Sequence, residues 1–214
     1  MSKQARLDVA ISIMGSEQHA KVLPNTTPSE LIESILQEFR EFDYLGMAVN
    51  NYAILNTSDK QQLDPQVALE KQVNARQPIN LLLLEHIAPT PAGATKIKKR
   101  VYLRESPRER VYKLQWTPAL IGRPSSDPSV TDNGLIAVDL ASHDNGLRVS
   151  RRQARISEDA NGVYIENLGS NPTTLISKNG EQTLDQKRHK LQHGDIIKLD
   201  RSGIMLKVII RDEQ

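Results

Sequence analysis

Cysteine is absent from the 214 residues, so neither a disulfide nor a thiolate metal site can contribute to this fold. The same absence fits a reducing compartment. Aromatic residues make up only 4% of the chain, which leaves Leu, Ile and Val to build any core. Long apolar runs are missing too: the longest, residues 79–84, contains Asn80 and is far too short to span a bilayer. The first apolar run, residues 7–14, is broken by Asp8 and lacks a small-residue cleavage site, so it does not read as a secretory signal. These absences together predict a cytoplasmic protein with no membrane insertion. A Walker-type phosphate loop, a dinucleotide glycine fingerprint, a nucleophile elbow and a His spaced to serve a Ser/Asp pair are all missing. An enzyme is therefore the least supported class, and no cofactor is implied. His189 and His193 stand four apart, but without Cys or a nearby third ligand they do not make a metal site.

The formal net charge of +2 hides an uneven distribution. Residues 1–87 carry 7 Lys/Arg against 11 Asp/Glu, residues 88–113 carry 8 against 2, and residues 114–214 carry 13 against 13. Positive charge is concentrated at a junction, whereas a nucleic-acid binder would favour a basic face. Residues 88–95 are Pro, Ala and Thr with one Gly and no periodicity, so a semi-rigid tether is expected over residues 88–97. Two domains, 1–87 and 98–214, are expected on either side of it. The cations Lys96, Lys98, Lys99, Arg100, Arg104, Arg108 and Arg110 surround a hairpin of residues 101–103 and 111–114 closed by Ser106, Pro107 and Arg108. They are expected to face solvent and to protect a sheet edge.

In the first domain, Leu7, Val9, Ile11 and Ile13 alternate with more polar neighbours, as in a half-buried strand. Gly15 and Ser16 turn the chain into a second strand at 19–23. Thr27-Pro28-Ser29-Glu30 starts a helix, with Thr27 as N-cap, Pro28 at the first helical position and Glu30 closing a capping box. Leu31, Ile32, Ile35, Leu36, Phe39 and Phe42 then form one apolar stripe. Strands are expected at 47–49, 52–55 and 79–84, with a polar turn at 57–60 and a helical turn at 67–69. This order resembles the ubiquitin-like β-grasp, an α+β fold, and in particular the small bacterial ubiquitin-like proteins associated with type VII secretion. Because no Gly-Gly tail closes the unit, a docking module or a spacer is expected and not a conjugated tag.

From residue 119 onward, short β-forming runs alternate with turn residues such as Asp132-Asn133-Gly134, Asp144-Asn145-Gly146 and Asn161-Gly162. Strands at 119–121, 135–138, 147–149, 154–156, 163–165, 174–176, 190–191, 196–199 and 205–210 predict an all-β, two-sheet antiparallel sandwich. Polar groups cluster where three of these runs stop: Gly122-Arg123, Ser150-Arg151-Arg152-Gln153, and Gly169-Ser170-Asn171-Pro172-Thr173-Thr174. A guanidinium offers planar, charge-assisted hydrogen bonds that fit phosphate oxygens, and a Ser hydroxyl adds a donor. The clusters resemble the forkhead-associated (FHA) domain, whose signature is Gly-Arg, then Ser-x-x-His, then Asn-Gly-Thr or a variant. Asn179-Gly180 and Leu191-Gln192-His193-Gly194-Asp195-Ile196-Ile197 extend the resemblance along the chain.

Two positions depart from that signature. Gln153 stands where the family has His, and like His it can donate and accept, so with Gly122 it is expected to support the binding loop. In the third motif, one alignment places Asn171 at the family's phosphate-contacting Thr and Pro172 at its ligand-holding Asn. A one-residue deletion instead reads Asn171-Pro172-Thr173 as Asn-x-Thr. The resemblance implies a non-catalytic adaptor for phosphothreonine peptides from substrates of a Ser/Thr kinase. Arg123 and Arg151 would clamp the phosphate, Ser150 would donate to it, and Asn171 with Thr173 or Thr174 would hold the ligand's main chain. Arg152 is expected to face solvent or to contact residues flanking the phosphorylated one. The alternative is a structural scaffold of a secretion or envelope assembly whose sandwich does not require phosphate, and Gln153 and Pro172 point that way. A third reading, nucleic-acid binding, would rest on the basic junction.

Overall fold

The computed structural model describes residues 6–211, and the chain divides into two compact units between Ile87 and Ala88. Three sheets and few helices make it mostly β. No helix among the described residues is long and apolar enough to cross a membrane.

The first unit contains β1 (Leu7–Ile13), β2 (Ser16–Val22), α1 (Pro28–Glu38), β3 (Tyr52–Asn56), β4 (Gln61–Gln62) and β5 (Ile79–Glu85). Its sheet runs β2-β1-β5-β3-β4, with β1 and β5 parallel at the centre and the other pairs antiparallel. Strand alternation buries Leu7, Val9, Ile11 and Ile13 against Leu31, Ile32, Ile35 and Leu36 of α1. The helix starts as its sequence dictates. The Glu30 amide donates to Thr27 Oγ1 at 3.3 Å, and Glu30 Oε2 accepts from the Thr27 amide at 2.8 Å.

Two expectations fail in this unit. Residues 47–49 form no strand; the backbone makes a 3-10 turn at Val49–Asn51, and β4 appears downstream instead. Phe42 lies beyond the end of the helix, 37% exposed and stacked between Phe39 and Tyr44, because α1 closes at Glu38 before the stripe reaches it.

The second unit contains β6 (Thr95–Ser106), β7 (Val111–Thr117), β8 (Ala119–Gly122), β9 (Ile136–Asp139), β10 (Arg152–Asp159), β11 (Gly162–Asn167), β12 (Thr173–Ser177), β13 (Gly180–Thr183), β14 (His189–Lys190), β15 (Ile196–Leu199) and β16 (Ile204–Arg211). They form two sheets, β14-β11-β10-β8-β9 and β13-β12-β15-β16-β6-β7. Inward-facing Val101, Leu103, Ile121, Ile156, Ile165, Ile197, Leu206 and Val208 fill one core between them. The result is a β-sandwich.

This sandwich is not wholly antiparallel, since β8 and β9 run parallel from Leu120↔Ile136 to Gly122↔Asp139. The stretch 147–149 is no strand either; it leaves a 3-10 turn at Gly146–Arg148. β6 begins at Thr95, inside the stretch that composition assigns to a tether. Arg100 and Arg104 do not protect an edge, because β6 pairs with β16 from Arg100 to Ser106 on one side and with β7 on the other. Where β6 bulges, the carboxylate of Glu158 accepts from the amides of Lys98 and Lys99 at 2.7 and 2.8 Å.

One buried polar group positions the loop that leads to the site. Glu105, 2% exposed, accepts from the Tyr112 hydroxyl at 3.1 Å and lies 3.3 Å from Nε2 of His143. Nδ1 of His143 accepts from the Asn145 amide at 3.0 Å. Burial pushes the Tyr112 hydroxyl well above its usual pKa. The turn before Ser150 is thus anchored to β6 and β7.

Candidate functional site

Gly122 ends β8 where the loop carrying Ser150 and Arg151 passes over it. A Cβ there would lie 2.2 Å from the Arg151 carbonyl oxygen and 3.0 Å from that of Ser150, so only glycine fits. The close approach lets the Arg123 amide donate to the Arg151 carbonyl at 3.2 Å. It also lets Nε of Arg123 donate to the Val149 carbonyl at 2.7 Å. The guanidinium is held by that one edge, and neither Nη has a partner among the described residues. Ser150 lies next along the chain, and its hydroxyl is likewise unpartnered among the described residues. Gly169 gives it room, since a Cβ on Gly169 would meet Ser150 Oγ at 2.7 Å.

Beneath this rim lies Gln153, 1% exposed. Its Oε1 accepts from the Ser150 amide at 3.1 Å. Its Nε2 donates to the Asn171 carbonyl and to Thr173 Oγ1, both at 2.8 Å. Thr173 Oγ1 in turn donates to Asn167 Oδ1 at 2.8 Å, and Asn167 Nδ2 donates to the Gly169 carbonyl at 2.9 Å. One side chain therefore ties the Ser150 loop to the Asn171 loop, and each of its hydrogen-bonding atoms is used.

The anticipated residues do not all meet at this place. Arg123, Ser150, Arg151 and Asn171 do. Arg151 is exposed and donates through Nη1 to Ser125 Oγ at 3.3 Å. Asn171 is half-buried; its Nδ2 donates to the Arg148 carbonyl at 3.0 Å, and its Oδ1 accepts from Nη1 of Arg201 at 3.2 Å. Thr173 does not reach a ligand, because it is 0% exposed and its hydroxyl is spent on Gln153 and Asn167. Thr174 points to the opposite side of β12 and donates to Asp200 Oδ2 at 2.9 Å, with 8% of its surface exposed. Neither threonine can hold a ligand's main chain through its side chain.

Arg152 is also placed differently from expectation. It is half-buried, donating through Nε to Asp132 Oδ2 at 2.7 Å and through Nη2 to Asp132 Oδ1 and Asn133 Oδ1. Its Nη1 donates to the carbonyls of Arg123 and Arg151. It is a brace for the 123–133 loop. The hydrogen bond from Arg152 holds the Asp132 carboxyl below the usual carboxylate range. Asp127, within this loop, is also lowered, first by the Ser129 hydroxyl and amide and then by the charge of Arg151.

Sequence pattern missed Arg148, Arg201 and Asp132. Arg148 precedes Ser150 by two positions, and Arg201 lies on the turn between β15 and β16, remote in sequence; Asp132 read only as a turn residue. His189 and His193, whose spacing would suit a helix, lie on a strand and a turn; His189 Nε2 pairs with Asp185 and His193 Nδ1 accepts from the Ile210 amide. Among the described residues no three His, Cys, Asp or Glu side chains gather as a metal would require.

A two-sheet sandwich whose loops bring an arginine, a free seryl hydroxyl and a second arginine together agrees with a comparison against protein families. Residues 120–200 match the FHA domain. Solved structures similar to this chain include an FHA domain studied for its phosphothreonine-dependent interactions, at 22% identity over 53% of this chain and 99% of that one, with a TM-score of 0.39. Mycobacterium tuberculosis EmbR in complex with a low-affinity phosphopeptide matches at 22% identity and a TM-score of 0.40, over 54% of this chain and 25% of EmbR. The FHA domain of human APLF in complex with an XRCC1 bisphospho peptide matches at 22% identity and a TM-score of 0.37, over 51% of this chain and 97% of that one. No curated relative matches the chain.

Proposed function

We propose that this chain is a non-catalytic adaptor whose FHA domain binds phosphothreonine peptides and whose first unit is a ubiquitin-like docking module. The observation that carries the reading is the state of Arg123. Its Nε is fixed on the Val149 carbonyl at 2.7 Å, while neither Nη has a partner among the described residues and the hydroxyl of Ser150, next in the chain after Val149, is likewise unpartnered. A guanidinium already oriented loses little freedom on closing a bidentate pair with a phosphate. Arg151 adds positive charge on the same rim, and Gln153 keeps the two loops in register from below. Phosphate supplies nearly two negative charges and three strong acceptors that an unmodified threonine lacks. The ligands would be substrates of a Ser/Thr kinase, and the adaptor would work in the cytoplasm. For the first unit, the strand order β2-β1-β5-β3-β4 with parallel β1 and β5 and a single packed helix supports the β-grasp reading.

One observation favours a second reading. Both ends of the Asn171 amide are already engaged, by the Arg148 carbonyl and Arg201, so that side chain is not free to hold a ligand's backbone. That would suit a structural scaffold, for example in a secretion assembly, that does not depend on phosphate. Titration with a degenerate phosphothreonine library and its unphosphorylated counterpart separates the two. The adaptor requires binding that depends on the phosphate and disappears in Arg123→Ala and Ser150→Ala; equal binding of the two libraries, or none, favours the scaffold.

A further inference from the structure

The loop from Leu140 to Val149 delivers two carbonyl oxygens to the rim. That of Val149 accepts from Arg123 Nε at 2.7 Å, and that of Arg148 accepts from Asn171 Nδ2 at 3.0 Å. The loop is wound tightly before it gets there. The Gly146 amide donates to the His143 carbonyl at 2.7 Å, the Val149 amide donates to the Gly146 carbonyl at 2.9 Å, and a Cβ on Gly146 would lie 2.2 Å from the Leu140 carbonyl oxygen. One side chain ties this turn to the sandwich interior. The His143 ring, 10% exposed, has Nε2 at 3.3 Å from Glu105 Oε1, while its Nδ1 accepts from the Asn145 amide at 3.0 Å.

Glu105 has use for a positive charge. Its carboxyl is 2% exposed; Oε2 accepts from the Tyr112 hydroxyl, but Oε1 has no hydrogen bond among the described residues. Burying an anion in that state is costly unless a cation stands beside it. The other charged groups around the pair are engaged elsewhere. Arg108 is committed to Asp144 at 2.5 Å, and Arg110 lies over the Tyr112 ring at 4.8 Å. Asp139 accepts from the Ala141 amide, and the β15–β16 turn meets Asn145 through the uncharged Ser202 carbonyl. His143 is therefore the group placed to bring charge to Glu105 directly. A ring protonated on both nitrogens, however, cannot accept from the Asn145 amide. The two tasks exclude one another.

Resting on the phosphopeptide reading, we infer that His143 is a positioning residue of the phosphate site and that its protonation loosens that site. A neutral ring holds the Asn145 amide and keeps the Val149 carbonyl on Arg123. A charged ring is drawn to Glu105 and releases the turn. Arg123 then loses the fixed edge that prepares it for a phosphate, and the change reaches Asn171 through the Arg148 carbonyl.

The test uses the full chain as wild type, H143Q and E105Q. Its first arm needs no ligand: exchange of the Arg123 Nε–H with water is followed by NMR from about pH 8 to about pH 6, where imidazole gains its charge. The reference in the same sample is the Nε–H of Arg155, which donates to Glu166 Oε1 at 2.6 Å. Because the ratio is internal to one protein, partial unfolding does not imitate the result. In wild type, exchange at Arg123 relative to Arg155 is expected to rise on the order of tenfold towards the lower pH. In H143Q the ratio is expected to stay constant, and in E105Q the rise is expected to shrink. The second arm titrates a phosphothreonine peptide over the same range. Phosphate itself gains a proton near pH 6, so only the ratio of wild-type to H143Q affinity counts, and it is expected to fall about fivefold. A wild-type exchange ratio that ignores pH, or one that changes equally in H143Q, overturns the inference and leaves the phosphopeptide reading standing. If wild type binds the phosphopeptide at neither pH, that reading falls, and the positioning role of His143 stands or falls with the exchange ratio.

Discussion

On the floor of the loop cluster, Gln153, Thr173 and Asn167 share hydrogen bonds among themselves and with the backbone around Ser150 and Asn171. On the rim directly above, Arg123 and Ser150 keep donors that have no partner among the described residues. The two layers use similar polar side chains for opposite ends. The floor is buried, and there an unmet hydrogen bond costs the full desolvation of the group, so each member is satisfied. The rim is reached by water, which lets it hold donors in reserve for a ligand at little cost in stability. Arg151 and Arg152 repeat the contrast between adjacent residues: the first is exposed with a single contact to Ser125, the second is locked onto Asp132, Asn133 and two carbonyls.

If that division holds, substitutions on the floor should harm folding first, and substitutions on the rim should harm binding first. The largest effect is expected from Gly122→Ala, whose Cβ would press on the Arg151 carbonyl at 2.2 Å. We expect a loss of roughly 3 kcal/mol from the sandwich, together with loss of phosphopeptide binding. Trp116, the single tryptophan, lies in this unit and reports its denaturation by fluorescence.

Gln153→Leu should cost about 2 kcal/mol, because it strands the Ser150 amide and the Thr173 hydroxyl in a buried place. Arg123→Ala is the reciprocal case. It removes one hydrogen bond to a carbonyl, so stability should shift by about 1 kcal/mol or less. Phosphopeptide affinity should nevertheless fall on the order of a hundredfold, measured by calorimetry. A variant that lost both equally would erase the distinction between floor and rim.

A smaller effect concerns acid. Asp132 has a carboxyl lowered by Arg152. A depressed carboxyl adds stability that is present above its unfolded value and is lost as pH falls through the folded one. The brace should therefore weaken only below about pH 4. Asp132→Asn should flatten that part of the stability profile and lower the neutral plateau, because the contribution present above the unfolded value goes with the carboxylate. The smallest effect is expected from Thr174→Val: phosphopeptide affinity should stay within about twofold, since its side chain bonds Asp200 away from the rim.

The sequence was informative where local chemistry decides the outcome. The capping box at Thr27, the alternation of β1, and the Gly122-Arg123 and Ser150-Arg151 stops could all be read from neighbours in the chain. What could not be read depends on partners remote in sequence. Arg152 looked like a solvent-facing residue because its anchor, Asp132, lies in a loop twenty positions earlier. Thr173 and Thr174 looked equivalent until the strand register sent one to the buried side and the other towards Asp200. Arg201 carried no signal because only the β15–β16 turn brings it to Asn171. Gln153 was legible as a support, but not as the residue joining the two loops. The 3-10 turns at Val49–Asn51 and Gly146–Arg148 were mistaken for strands because short apolar runs do not reveal their period.

The most direct measurement is an amide chemical-shift titration of the full chain with a phosphothreonine peptide and its unphosphorylated twin. The account predicts shifts that require the phosphate and centre on Arg123, Ser150, Arg151 and Asn171, with smaller changes at Gln153 beneath them. Shifts of equal size with the unphosphorylated peptide, or a response centred on another part of the sandwich or on the first unit, would contradict it.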